Sequence, residues 1–198
     1  YLAKEKGKNR HIIYEERLHG KLESDDMQNM AMAYAVSKEK KREVITKMIT
    51  ELCVSGVNSI VKKEERLQQI RSLFDLDGIT IYSESGAQLV CRNGNYMVEV
   101  PDGRGLFEDE KYLALFGDDD NFIESNTLKL RSQDPAAFAV MQKQEIGAFL
   151  QCLSRKEGVP NVIVNYDVFN RNRKWSDEDI TLLTILGHCI GNLLNYSE

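Results

Sequence analysis

Apolar positions along the 198-residue chain switch between a helical and a strand period. From Ser24 they recur in steps of three and four, as Met27, Met30, Ala31, Tyr34 and Ala35. The polar run KEKKRE interrupts them, and Ile45, Met48, Ile49, Leu52, Cys53, Val57 and Ile60 resume the spacing. This pattern gathers side chains on one helical face and predicts one long helix or two in series, with Ser24 as N-cap and Asp25 and Asp26 in its positive first turn. A shorter helix is predicted over Glu64 to Phe74, with Leu67, Ile70, Leu73 and Phe74 inward and Asp77-Gly78 closing it.

The period then shortens to two. Ile79 to Tyr82, Gln88 to Arg92 and Tyr96 to Val100 read as strands, separated by the turn signals Glu84-Ser85-Gly86 and Asn93-Gly94. Asp109 to Phe116 reads as a helix ended by Gly117, GDDDN as a loop, and Leu128 to Leu130 as a short strand. Asp134-Pro135 supplies an N-cap and first residue for a helix through about Lys143. Ala148 to Leu153 and Val162 to Phe169 form a hairpin around SRKEGVPN, whose Gly158 and Pro160 are turn residues. A final helix starts at the cap Ser176, carries Asp177, Glu178 and Asp179 at its positive end, and turns Ile180, Leu183, Leu186, Ile190 and Leu194 to one side.

Composition narrows the classes. A hydrophobic content of 42% with 29% charged residues is ordinary for a globular protein. No apolar run approaches the ~20 residues that span a bilayer, and no signal peptide is visible, although the first residue is Tyr1. A net charge of −5 argues against a general nucleic-acid binder, and the basic clusters at Lys4 to Arg10 and Lys38 to Arg42 sit among acidic residues as a solvated face. Cys53, Cys91, Cys152 and Cys189 show no CxxC or metal-ligand spacing, so reduced thiols in a cytoplasmic protein are expected.

The hairpin, the basic connector NRNRK, Trp175 and the following SDEDITLL helix resemble the closing half of a GAF domain, a small-molecule-binding sensor module. The resemblance covers roughly Val44 to Tyr196, and Trp175 stands where the family usually has Phe. It implies an α/β (α+β) fold: a central antiparallel sheet of five to six strands, N- and C-terminal helices on one face, and capping helices and loops on the other. It also implies a homodimer through those terminal helices. YLAKEKGKNRHIIY resembles the end of a GGDEF (diguanylate cyclase) domain, with Tyr1, Ala3, Lys4, Gly7, Asn9 and Arg10 in the family's places and His11 to Tyr14 as its last strand. A basic, helix-prone tail is the plainer alternative. The implied organisation is a GGDEF tail over 1–14, a helical linker over 15–43 and a GAF-like domain over 44–198. The GG(D/E)EF signature is absent, so this chain is expected to make no cyclic di-GMP.

Candidate chemistry centres on a pocket. Alternation puts Thr80 and Tyr82 on one face of their strand, opposite Ile79 and Ile81. Gln151 and Asn165 interrupt otherwise apolar strands, and a polar group under a cap costs about 1 to 3 kcal/mol unless partnered. A ligand, backbone groups of the cap or a bound water would each satisfy it. Arg92, Tyr96, Phe122 and Arg131 are further candidates, an arginine being suited to an anionic group. Phe149 with Tyr82 and Phe122 filling the space would instead mark a ligand-free module, in which Gln151→Leu should stabilise.

Other chemistries fit less well. The Asn-Lys, Phe, Asp-Glu signature of cyclic-nucleotide-binding GAF domains is replaced by Asn165-Tyr166, Trp175 and Asp179-Ile180. His188 and Cys189 lie in the final helix, the wrong place for bilin attachment. Some GAF-fold proteins reduce methionine sulfoxide with a thiolate, and Cys91, with Cys152 reachable only through the fold, is the remote candidate. Asp118, Asp119 and Asp120 with Asn121 lack the Gly and Glu that complete a calcium loop. His11 and His19 lie outside the domain, so no Ser/His/Asp arrangement is readable, and Gly103 and Gly105 in PDGRG are turn glycines. The expected function is therefore a non-catalytic, small-molecule-sensing regulatory domain of a GGDEF protein, without metal or cofactor and with no nucleic-acid or membrane partner. The alternatives are a ligand-free dimerisation or protein-interaction module and, remotely, a thiol-dependent methionine sulfoxide reductase.

Overall fold

The computed structural model describes residues 24–55, 64–92 and 103–195. The 1–14 tail, the Asn93-Gly94 turn and the Tyr96–Val100 strand, Tyr96 included, lie outside the described residues. Helix α1 spans Ser24–Ser55. The chain divides into two units between Arg42 and Glu43, and the architecture below belongs to the second.

Helix α2 (Glu64–Leu73) leads to β1 (Gly78–Ser83) and β2 (Gly86–Arg92). A 3-10 turn at Arg104–Phe107 and the short α3 (Glu110–Leu113) precede β3 (Asn121–Glu124), followed by a 3-10 turn at Thr127–Lys129, α4 (Leu130–Gln133) and α5 (Pro135–Lys143). The chain closes with β4 (Ile146–Lys156), β5 (Val159–Phe169) and α6 (Asp177–Asn195). Among the described residues the strands form one antiparallel sheet of five, in the order β2-β1-β5-β4-β3. The architecture is the expected α+β sandwich of a sheet between two helical layers.

Strand alternation decides which layer each side chain enters. One face carries Ile79, Ile81, Leu150, Cys152, Val164, Tyr166 and Val168 against Ile45, Met48 and Leu52 of α1, Leu67 and Ile70 of α2, and Leu183, Leu186 and Ile190 of α6. The N- and C-terminal helices of the domain thus share a face. Helix α6 approaches so closely that a Cβ on Gly187 would stand 2.6 Å from Cys152 Sγ. The opposite face carries Tyr82, Phe149, Leu153, Ile163 and Phe169 beneath Tyr112, Phe116, Leu130, Ala137 and Met141 of the cap.

Local chemistry sets most boundaries. Ser176 Oγ accepts from Asp179 N at 3.1 Å and starts α6. Asp134 Oδ1 accepts from Ala136 N and Ala137 N, both at 3.0 Å, with Pro135 in the first turn of α5. The β4–β5 turn is tighter than SRKEGVPN suggests, because Glu157 and Gly158 both hold positive φ, 53° and 86°, the pattern of a type I′ turn. Pro160 consequently lies within β5, beyond the Ser83–Val162 pair where β1 ends.

Two sequence expectations are corrected. Leu128–Leu130 is helical: Asn126 Oδ1 accepts from Leu128 N at 3.0 Å and caps the turn, while Leu130 is buried on the inner side of the cap. The neighbouring strand is instead Asn121–Glu124, a four-residue run with no alternation long enough to read. The helix expected over Asp109–Phe116 is confined to Glu110–Leu113, with Asp109 as its side-chain cap.

Candidate functional site

Thr80 pairs with Asn165 across β1 and β5, Asn165 with Gln151 across β5 and β4, and Gln151 with Phe122 across β4 and β3. Sheet register therefore lays four sequence candidates in one row, on the face that carries Tyr82 and Phe149. Above Asn165 and Gln151 the cap leaves a hollow of about 270 Å³. Tyr82, Leu106, Tyr112, Met141 and Ile146 make its largely apolar wall, and Asp109 and Gln144 contribute polar groups. Gly103 allows the wall to close: its φ is 78°, and a Cβ there would fall 2.2 Å from Tyr82 Cδ1.

Each amide of the row has a fixed orientation. Tyr112 donates its hydroxyl proton to Gln151 Oε1 at 2.6 Å. Burial raises the Tyr112 pKa, more than the bond to Gln151 lowers it, so the phenol stays a donor. Gln151 is left with its amide nitrogen for the hollow. Asn165 donates Nδ2 to Asp167 Oδ1 at 2.9 Å, and its own Oδ1, on a residue only 3% exposed, has no hydrogen-bond partner. Thr80 Oγ1 is likewise buried without a well-formed bond, although it lies near enough to the Tyr82 phenol to moderate the rise that burial causes there.

Asp167 is the residue that sequence reasoning missed. Fully buried beside Asn165, it keeps Oδ2 unpaired. Burial pushes its pKa up to about 7, with Arg92 and the Asn165 amide opposing and Asp77 reinforcing. Its signal was present, as a charged residue in the apolar run VIVNYDVF two positions after Asn165. Tyr112 carried no comparable signal.

Of the nine sequence candidates, Tyr82, Gln151 and Asn165 line the hollow and Thr80 lies in the same row. Phe122 and Phe149 pack beside it edge to face, ring centroids 4.8 Å apart. Arg92 donates to Gln144 Oε1 at 3.2 Å and covers the Phe169 ring at 5.2 Å. Arg131 is exposed on α4 and does not reach the hollow. Tyr96 is outside the described residues. Gln151 is also not the orphan its context suggested: replacing it with leucine would strand the Tyr112 hydroxyl, so stabilisation is no longer expected.

The remaining motifs resolve into structural roles. Asp119 accepts from Asn121 N and Nδ2, and Asp120 pairs with Arg155 at 2.9 Å, so these two members of the acidic turn bind the chain itself. Among the described residues no group of His, Cys, Asp and Glu could hold a metal. Cys91 and Cys152 are buried in the helix-side layer, away from the hollow, and burial raises the Cys152 pKa instead of lowering it. His188 lies on α6. No described helix is long and apolar enough to cross a membrane.

The chain superposes on solved structures of one fold. The red/green cyanobacteriochrome NpR6012g4 in its red light-absorbing state superposes with a TM-score of 0.55 at 16% identity, covering 72% of this chain and 96% of that one. This is a GAF fold. The green light-absorbing state of NpR6012g4 gives a TM-score of 0.53. GAF3 from Slr1393 of Synechocystis sp. PCC6803, in its photoproduct state, gives 0.51 at 12% identity, covering 71% of this chain and 94% of that one. No protein-family model matches the sequence. A comparison with curated proteins likewise finds no match. The GAF fold is thus shared at low identity, and the hollow sits beneath its cap.

Proposed function

We propose that the GAF-fold unit is a regulatory, small-molecule-sensing module, itself non-catalytic, in a diguanylate-cyclase-type (GGDEF) signalling protein of the cytoplasm. One observation carries the ligand reading: Asn165 Oδ1 is buried and unpaired beside a hollow, with the neighbouring Gln151 held so that it can contribute a donor. A buried acceptor left unsatisfied costs about 1 to 3 kcal/mol, which a bound molecule removes. The cyclase assignment comes from the resemblance of residues 1–14 to a GGDEF tail.

Signalling would use adjacent residues of β5. Asn165 faces the hollow, while Val164 and Tyr166 pack in the layer with α1 and α6. A ligand that favours one arrangement of β5 would bias that helical layer and, through a homodimer, the neighbouring cyclase. Val54 on α1 and Ile185 on α6 are exposed apolar residues available to such a contact.

A second reading is a ligand-free module for dimerisation or protein contact. The edge-to-face cluster of Tyr112, Phe116, Phe122 and Phe149, which fills the space beside the hollow, favours it. Native mass spectrometry of freshly purified protein, followed by denaturation and identification of what is released, separates the two. The sensor reading expects a discrete added mass, lost in the double variant Gln151→Leu/Tyr112→Phe, which removes both halves of the bond and strands neither. A bare dimer that gains no mass after incubation with cell metabolites would leave the dimerisation module standing and sink the sensor.

A further inference from the structure

We infer that the hollow selects a neutral molecule presenting a cis-amide edge, an N–H beside a C=O, as in a primary carboxamide or a lactam ring. The inference deepens the sensor reading and rests on it.

The argument starts from register. Gln151 and Asn165 are directly opposed on β4 and β5 and both line the hollow. Opposed residues bring their Cβ atoms to roughly 5 Å, so the two amides stand side by side. Left free, each amide could rotate and offer either a donor or an acceptor. Here neither is free. The Tyr112 hydroxyl holds Gln151 Oε1 and leaves Nε2 as its donor; Asp167 Oδ1 holds Asn165 Nδ2 and leaves Oδ1 as a buried, unpaired acceptor beside the hollow. The floor therefore presents one donor next to one acceptor. Its complement is one acceptor next to one donor, the edge of a cis amide.

Charge excludes the nearest alternatives. A carboxylate would set two acceptors against this floor, leaving Asn165 Oδ1 facing another acceptor. An amidinium would set two donors against it, leaving Gln151 Nε2 facing another donor. Among the described lining residues the charged one is Asp109, whose Oδ1 already caps α3 through Lys111 N and Tyr112 N. Arg92, the cation expected from sequence, is turned to Gln144 and Phe169. Size sets a further limit: about 270 Å³ corresponds to roughly nine waters at ~30 Å³ each, room for one or two rings between Tyr82, Leu106 and Met141. Tyr112 and Asp167 are positioning residues in this scheme, acting through the amides they orient.

Three probes of one shape isolate the edge: benzamide, benzoate and benzamidinium. Each is titrated into the full chain while the side-chain amide resonances of Gln151 and Asn165 are followed by ¹H–¹⁵N correlation spectra. Benzamide should move both resonances and saturate at about tenfold lower concentration than either ion, since each ion leaves one buried group facing its like. Gln151→Glu turns the floor into two acceptors and should transfer the preference to benzamidinium. If the three probes move these resonances with equal affinity, or an ion is preferred by the unaltered protein, the edge is refuted while the hollow still takes a small molecule and the sensor reading stands. If none moves them, both readings of the hollow fall.

Discussion

Asp167→Asn tests how the sheet tolerates a carboxyl at its centre. The carboxyl is fully buried, accepts one bond from Asn165 Nδ2, and leaves Oδ2 unpaired. Its folded pKa, pushed up to about 7, compares with ~3.9 in an unfolded chain. Between those values the native state holds a proton that the unfolded chain has released. Stability from this group is therefore complete below about pH 4, falls as pH rises to about 7, and is flat above. A difference of about three pH units corresponds to at most roughly 4 kcal/mol. Asparagine keeps the acceptor for Asn165 and never ionises. Urea unfolding of both proteins should thus give similar stabilities at low pH and a gap in favour of Asp167→Asn that widens by several kcal/mol by pH 8. Comparing the two proteins cancels the other titrating groups, provided Arg92 and Asp77, which face this carboxyl, respond alike. A gap that stays constant across the range would show that Asp167 ionises normally, and the description of a desolvated site would be wrong.

Two further outcomes probe the scaffold. Gly187→Ala adds a Cβ 2.6 Å from Cys152 Sγ and 2.8 Å from Cys152 Cβ; overpacking of about 1 to 3 kcal/mol should exceed the ~1 kcal/mol gained in helix propensity. The thermal midpoint should drop by several degrees, and a rise would refute the close approach of α6 to the sheet. Arg173→Met removes a pair with Asp179 at 3.0 Å, in which the side chains are 11% and 8% exposed, and a bond to Phe74 O at 2.6 Å. It should cost about 3 kcal/mol, much of it recovered in the double variant with Asp179→Asn, because the penalty is mainly a buried carboxylate that has lost the guanidinium opposite it. A double-mutant cycle by chemical denaturation reads this, and strict additivity would contradict it.

Local chemistry made much of the fold legible. The period of apolar residues, the caps at Asp134 and Ser176, and the turn glycine Gly158 act within a few residues, so β4, β5, α5 and α6 could be read from the chain, although Pro160, read as a turn residue, belongs to β5. Leu128–Leu130 and Asn121–Glu124 could not, because segments of three or four residues take their state from a cap and a neighbouring strand, not from periodicity. Site residues divide the same way. Asn165 and Gln151 announced themselves as polar breaks in apolar strands, and Asp167 could have done so. Arg92 and Arg131 were equally visible, yet what a long side chain reaches is decided by its surroundings: Gln144 and Phe169 engage one, and the surface of α4 carries the other away. Sequence by itself determined the two-faced strands and the amphipathic helices. Only tertiary structure decided that Thr80, Asn165, Gln151 and Phe122 share one row, because antiparallel register joins residues up to 85 positions apart, as it does Thr80 and Asn165. It also decided which way Gln151 turns, since Tyr112 becomes a neighbour of the row only when the cap closes on the sheet, whereas Asp167, two residues along β5, holds Asn165 within one strand.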